Sequence, residues 1–265
     1  MTRPRRTPWP LGTLAFVGAL FLVLPLFGLL LRAPWSDLPE ILVRPEVRDA
    51  LVLSLVCASA ATVISLVLGV PLAWVLARSA VPGLRLVRSL VTLPLVLPPV
   101  VGGVALLLVL GRRGLVGQYL DLWFGITIPF TTAAVVLAET FVAMPFLVIA
   151  VEGAFRSADQ GYDEAAATLG ASRLTVFRRV TLPLIRPALV AGSVLCWARA
   201  LGEFGATITF AGNLQGVTRT MPLAVYGAME TDPDAALAMS LVLLLVSVVV
   251  LFALRGRWVG QGGVS

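Results

Sequence analysis

Residues 50–76 read ALVLSLVCASAATVISLVLGVPLAWVL, twenty-seven positions without one charged side chain. About 20 mostly apolar residues suffice for a helix to cross roughly 30 Å of hydrocarbon. The apolar character is continuous rather than alternating, which excludes the strands of an outer-membrane barrel. A helix satisfies its own backbone hydrogen bonds inside lipid, so this stretch predicts a transmembrane helix. Working outward, comparable runs occupy 11–31, 90–110, 127–151, 188–210 and 235–254. The expected fold is all-α: a polytopic membrane bundle of six transmembrane helices, forming one domain over residues 1–265. The 11–31 run follows Arg3, Arg5 and Arg6, as a signal peptide would. It is too long for a signal h-region, and Leu31-Arg32-Ala33-Pro34 is a poor cleavage site, so it is read as the first span.

Composition agrees and excludes much chemistry. Of 265 residues, 58% are hydrophobic and only 13% charged, against about 25% charged in soluble domains. The twenty basic residues are all arginine, and there is no histidine. Without lysine there is no Walker A loop and no Schiff base; without histidine there is no HExxH zinc site and no Ser-His triad. Cys57 and Cys196 both lie in apolar runs and read as small buried hydrophobes rather than a disulfide or a metal pair.

Arginines are retained on the cytoplasmic side of short loops. With the N-terminus inside, thirteen arginines fall on cytoplasmic segments and six outside, the remaining one being Arg199 within a span. Both termini are then cytoplasmic. The net charge of +6 follows from this bias and calls for no nucleic acid. Trp35, Tyr119, Trp123 and Phe124 lie at predicted water boundaries, where amphipathic rings anchor a bundle in membrane lipid.

Several spans contain proline, which removes a backbone hydrogen bond that a neighbour or cavity water must replace. Pro98-Pro99-Val100-Val101-Gly102-Gly103 is either a tolerated kink or a break lining a pathway, and Pro98, Pro99 and Gly102 are its candidate residues. Glu139, Arg199 and Glu203 are ionisable groups in or near spans, where such groups are costly and usually face the interior. Glu139 reads as an interior hydrogen-bonding residue rather than a proton carrier. Arg199 and Glu203, four apart, share a face of a continuous helix. They are either a packing salt bridge or a polar lining and gate, with Gly202 and Gly205 permitting a bend.

The segment 152–187 is too polar to insert and too helical in pattern to be slack. Asp163 to Gly170 reads as a short helix with acids in its first turn and a glycine stop. Ser172 is placed to cap a second short helix, Arg173 to Val180, ending before Leu182-Pro183. Small alanines beside Glu164 leave a low face that another protein can approach closely.

Here the residues carry a resemblance. Glu164-Ala165-Ala166, Gly170 after three residues, Val180 after nine more, then Leu182-Pro183 resembles the EAA loop of bacterial ABC importer permeases, with Val180 where the pattern has Ile. Leu93 to Gly102, Phe141 to Phe146 and Ala200 to Ala206 resemble segments shared by molybdate and sulfate permeases, molybdate permeases being the closer match. The resemblance covers about residues 48–254. It implies a type I ABC importer architecture and a permease subunit moving molybdate across the cell membrane by alternating access, with sulfate, thiosulfate or tungstate as alternative substrates. A less favoured reading is an ATPase-independent secondary transporter, for which no inverted repeat is found.

It further implies a homodimer, a separate ABC ATPase subunit, and an extracytoplasmic oxyanion-binding protein. Glu164, Ala165, Ala166 and Gly170, with Ala167 and Leu169 beside them, would be the ATPase contacts. The chain itself would be no enzyme and bind no cofactor, ATP and Mg belonging to the ATPase. With only about ten residues after the last span, no sensing domain is expected there, and Gln261 to Ser265 is expected to be disordered.

Overall fold

A computed structural model describes residues 9–79 and 81–258. Arg3, Arg5, Arg6 and the tail Gln261 to Ser265 lie outside the described residues. The described chain is all-α, with no strand. Its helices are α1 (Trp9–Leu31), α2 (Leu38–Val43), α3 (Pro45–Arg78), α4 (Leu84–Val96), α5 (Pro99–Leu110), α6 (Gly117–Phe124), α7 (Thr132–Ser157), α8 (Gly161–Thr168), α9 (Arg173–Val176), α10 (Leu182–Leu184), α11 (Arg186–Leu201), α12 (Gly205–Phe210), α13 (Met221–Thr231) and α14 (Pro233–Trp258).

Four described helices, α1, α3, α7 and α14, are long and apolar enough to cross a membrane unbroken. The expected third span falls on a bent pair, α4 and α5 meeting at 120°, and the expected fifth begins within α11, which pairs at 73° with the α9–α10 segment of the loop before it. Six spans are reached when each pair counts as one. The third span therefore departs from the continuous helix expected over 90–110. At about 1.5 Å per residue, neither α4 nor α5 alone covers 30 Å. Leu97, before Pro98, is held extended, as a residue preceding proline prefers. The fifth expected span also stops early, at Leu201, with α12 following after a short turn. By contrast Pro25, Pro71 and Pro145 sit within continuous helices.

The core is built where α7 packs against α3 and α11. Ala58, Ala61, Ala73, Ala143 and Ala200 are fully buried there, together with Leu147, Val151 and Phe155. Lipid tails are as apolar as these side chains, so helix association relies on close packing, which small residues permit. Cys57 and Cys196 are free and buried, as expected. A buried polar tie reaches across the bundle, the backbone N–H of Met221 donating to Ser54 Oγ at 2.7 Å. It satisfies a helix-start donor of α13 that would otherwise be orphaned. Trp35, Tyr119, Trp123 and Phe124 are all exposed, as anchors must be.

At the start of α3, Arg44 donates to Asp232 at 2.7 Å. The Ala235 backbone N–H, then the Arg44 guanidinium, hold the Asp232 carboxyl below the usual carboxylate range. A depressed folded pKa contributes stability above the unfolded value of about 3.9, and loses it as pH falls through the folded value. Thermal unfolding in detergent should therefore show a small acid-side loss of Tm that Asp232→Asn removes.

Candidate functional site

The 152–187 segment forms as its sequence predicts in its first half. Asp163 and Glu164 stand in the first turn of α8, favourable to the helix dipole. Gly170, at φ +85°, ends it in the left-handed conformation that glycine adopts without Cβ strain. Glu164, Ala165, Ala167, Leu169 and Gly170 are exposed and Ala166 is half-buried. Leu169 is 88% exposed, and Tyr162 and Leu174 are exposed close by in the chain.

Ser172 Oγ accepts from the Thr175 N–H at 3.2 Å, so the predicted cap is present. The second short helix, however, does not end before Leu182-Pro183. α9 passes into a π-helical turn, Phe177–Thr181, and runs on through α10 to Ile185. Proline at 183 has no N–H for the Arg179 carbonyl and its ring would crowd that carbonyl. The widened turn, in which the Leu182 N–H bonds Phe177 O, continues the helix past this defect. The second half of the loop is thus helical up to the 73° bend at Ile185, where α11 begins.

Three contacts absent from the sequence reading fasten α8 and the π turn to the bundle. Arg78, the last residue of α3, lies 3.8 Å from Asp163. Thr181 Oγ1 donates to the other Asp163 oxygen at 2.9 Å. Phe177 packs against Trp74 and Phe155, with ring centroids 6.4 and 6.3 Å apart. Only the acid at 163 was visible in the sequence, as a first-turn residue; its partners lie 85 positions before and 18 after it, beyond any local pattern.

The second candidate cluster is brought together as well. Pro98 precedes α5 and Pro99 opens it; both are exposed, while Gly102 and Gly103 are buried. α12 crosses directly on α5. A Cβ added at Gly103 would lie 2.8 Å from the Ala206 carbonyl oxygen, and one at Gly205 would lie 2.9 Å from Pro99 Cβ. Gly205 thus serves close approach rather than the bend expected of it. The break before Pro99 and the break after Leu201 abut at this crossing.

Arg199 and Glu203 do pair, at 2.6 Å, although the helix stops between them. The Glu203 carboxylate is 1% exposed and its other oxygen accepts from the Ala206 N–H at 2.8 Å. One side chain therefore ties the end of α11 to the start of α12. Glu139 is buried on α7, but its Oε2 has no hydrogen-bond partner among the described residues, so the hydrogen-bonding role expected of it is absent at that atom. Glu203→Ala removes both ties at once. It should cost about 2 kcal/mol, below the roughly 3–5 kcal/mol of a fully buried pair because Arg199 is partly exposed. Glu203→Gln, which keeps an acceptor for Ala206, should lose less. Thermal unfolding of both variants checks the order.

No group of three or more His, Cys, Asp or Glu side chains among the described residues is placed to hold a metal ion. What the arrangement can do is transmit motion: an exposed helical tip, fastened to three core helices, continues into a paired break in the bundle. This is the fold of an ABC importer permease subunit, matching a bacterial ABC transporter that imports alginate with a TM-score of 0.74 at 19% identity over 96% of both chains.

Residues 65–257 match the family of binding-protein-dependent transport system inner membrane components, and the chain belongs to it as a multi-pass membrane permease. It is 53% identical over 243 residues to the molybdenum transport system permease protein ModB of Mycobacterium tuberculosis, covering 92% of each chain. Against ModB of Escherichia coli it is 43% identical over 221 residues, covering 83% of this chain and 96% of that one. The sulfate transport system permease protein CysT of Salmonella typhimurium is 36% identical over 249 residues, covering 92% and 90%.

Proposed function

We propose that this chain is the membrane-spanning subunit of an ATP-driven importer that moves molybdate inward across the cell membrane. The observation that carries the substrate is the 53% identity over 92% of both chains to a molybdenum permease, against 36% to a sulfate permease. The chain works as a homodimer with both termini cytoplasmic, the side that the arginine bias selects. A separate ATPase binds ATP and Mg and docks on Glu164, Ala165, Ala166, Ala167, Leu169 and Gly170. An extracytoplasmic binding protein delivers the anion to the opposite face.

The residues supply the mechanics. Closure of two ATPase subunits draws the two α8 tips together, and each tip pulls α3 through Arg78 and Asp163 and α11 through the π turn. Glu203 passes the displacement of α11 to α12, which moves with α5 because their crossing has no slack. The two breaks then shift as one body and the access of the pathway alternates. Arg199 stays neutralised by Glu203, so an oxyanion passing the pair is not held tightly.

Uptake of labelled molybdate into vesicles containing this chain, its ATPase and its binding protein tests the reading. ATP-dependent uptake that survives excess sulfate is expected. Loss of signal to sulfate would move the substrate to sulfate, loss to tungstate alone would leave those two anions unresolved by the site, and uptake indifferent to ATP would replace the importer with a secondary transporter.

A further inference from the structure

A cationic recess lies beside the end of α3, apart from both clusters described above. Its walls include Arg85 and Arg88 of α4, Arg156 of α7, and the apolar Leu76, Leu84 and Leu86. Arg85 and Arg88 are three apart and share one face of α4. A single carboxylate serves this group: Glu152 Oε1 accepts from Arg88 Nε at 2.8 Å and from Arg156 at 2.9 Å. Arg85 has no carboxylate within salt-bridge distance among the described residues. Three guanidiniums against one carboxylate leave two positive charges uncompensated in a concave site.

We propose that this recess binds the headgroup of an anionic phospholipid. Guanidinium donors match phosphate oxygens in fork geometry, and basic pockets at the ends of transmembrane helices take such headgroups. The apolar part of the wall decides between a lipid and a soluble anion. Leu86 is 65% exposed and Val81, in the preceding turn, is 59% exposed, and both stand directly beside the arginines, as acyl chains require and a free phosphate does not. The site lies at the end of a predicted span, on the same side of the bundle as α8, since Arg78 of α3 reaches Asp163. Glu152 sits one helical turn from Arg156 near the end of α7, so a bound phosphate competes with Glu152 for both of its arginines and bears on the helix ends that carry α8.

The full-length permease is purified and titrated with short-chain phosphatidylglycerol, and co-purifying lipid is counted by native mass spectrometry. Each arginine near a membrane surface is worth about a fivefold change in affinity for anionic lipid. The Arg85→Gln/Arg156→Gln variant should therefore bind roughly 25-fold more weakly and lose the co-purifying lipid. Arg173→Gln/Arg179→Gln, which removes equal charge from the exposed loop on the same side, should bind as the unchanged chain does. Equal weakening by both pairs would mean diffuse surface charge and overturn the site. Displacement of the lipid by millimolar inorganic phosphate would make the ligand a soluble anion. Loss of the lipid on assembly with the ATPase would make the recess a protein interface; either result overturns the proposal. Should the double variant fail to fold, Arg85→Gln alone, which breaks no ion pair, carries the test with a fivefold loss expected.

Discussion

Gly170→Trp should abolish ATP-dependent molybdate uptake and co-purification of the ATPase, while the chain remains inserted and folded. The added Cβ meets nothing within 4 Å, so the side chain starts into open space. The backbone at φ +85° is strained for any residue with a Cβ, at a cost of roughly 1–2 kcal/mol, too little to unfold the bundle. What the indole does is stand off the low surface formed by Ala165, Ala167 and Leu169. Gly170→Ala separates the two effects: it carries the strain without the bulk, and should retain ATPase binding with a modest fall in Tm. Normal co-purification of the Trp variant would remove these residues from the docking surface.

The second large effect falls inside the membrane. Gly103→Leu should yield no monodisperse protein, and Gly103→Ala should already lower Tm, by an amount corresponding to about 1–3 kcal/mol of overpacking. A Cβ at 103 would meet Ala206 backbone and Thr209 Cβ at 2.8 Å, and backbone cannot step aside. Gly102→Ala is the control one residue away. Its Cβ would meet the edge of the Phe141 ring at 3.0 Å, and a ring can tilt. Thermal unfolding of the two alanine variants should rank 103 below 102; equal values would mean that α5 and α12 separate freely, against the rigid crossing assumed in the transport mechanism.

The membrane character, the all-α class and most span positions were readable along the chain, because apolar run length is a local property that the bilayer thickness tests directly. The α8 helix was readable for the same reason: acids at its start, alanines within and a glycine at its end are all adjacent in sequence. So was the pairing of Arg199 with Glu203, four residues apart, although the reason offered, a continuous helix, is not how the structure achieves it.

What the chain could not disclose locally is where its interruptions lead. Pro98-Pro99 marked a break, but a proline states only that a hydrogen bond is lost, not that α5 turns back at 120° on α4. Pro183 marked a helix end and instead lies in α10, just past a π turn at Phe177–Thr181 that carries the helix over the defect. Gly205 read as a hinge and proved, like Gly103, to be a contact point, since a missing side chain reads identically in sequence whether it serves freedom or proximity. Composition and spacing along the chain by themselves determined that this protein spans a membrane and presents an exposed helical tip. Only the tertiary structure decided that the two breaks meet, that Arg78 and Thr181 hold Asp163, and that Arg88 reaches the carboxylate of Glu152, because each joins residues whose proximity is set by helix packing rather than by chain distance.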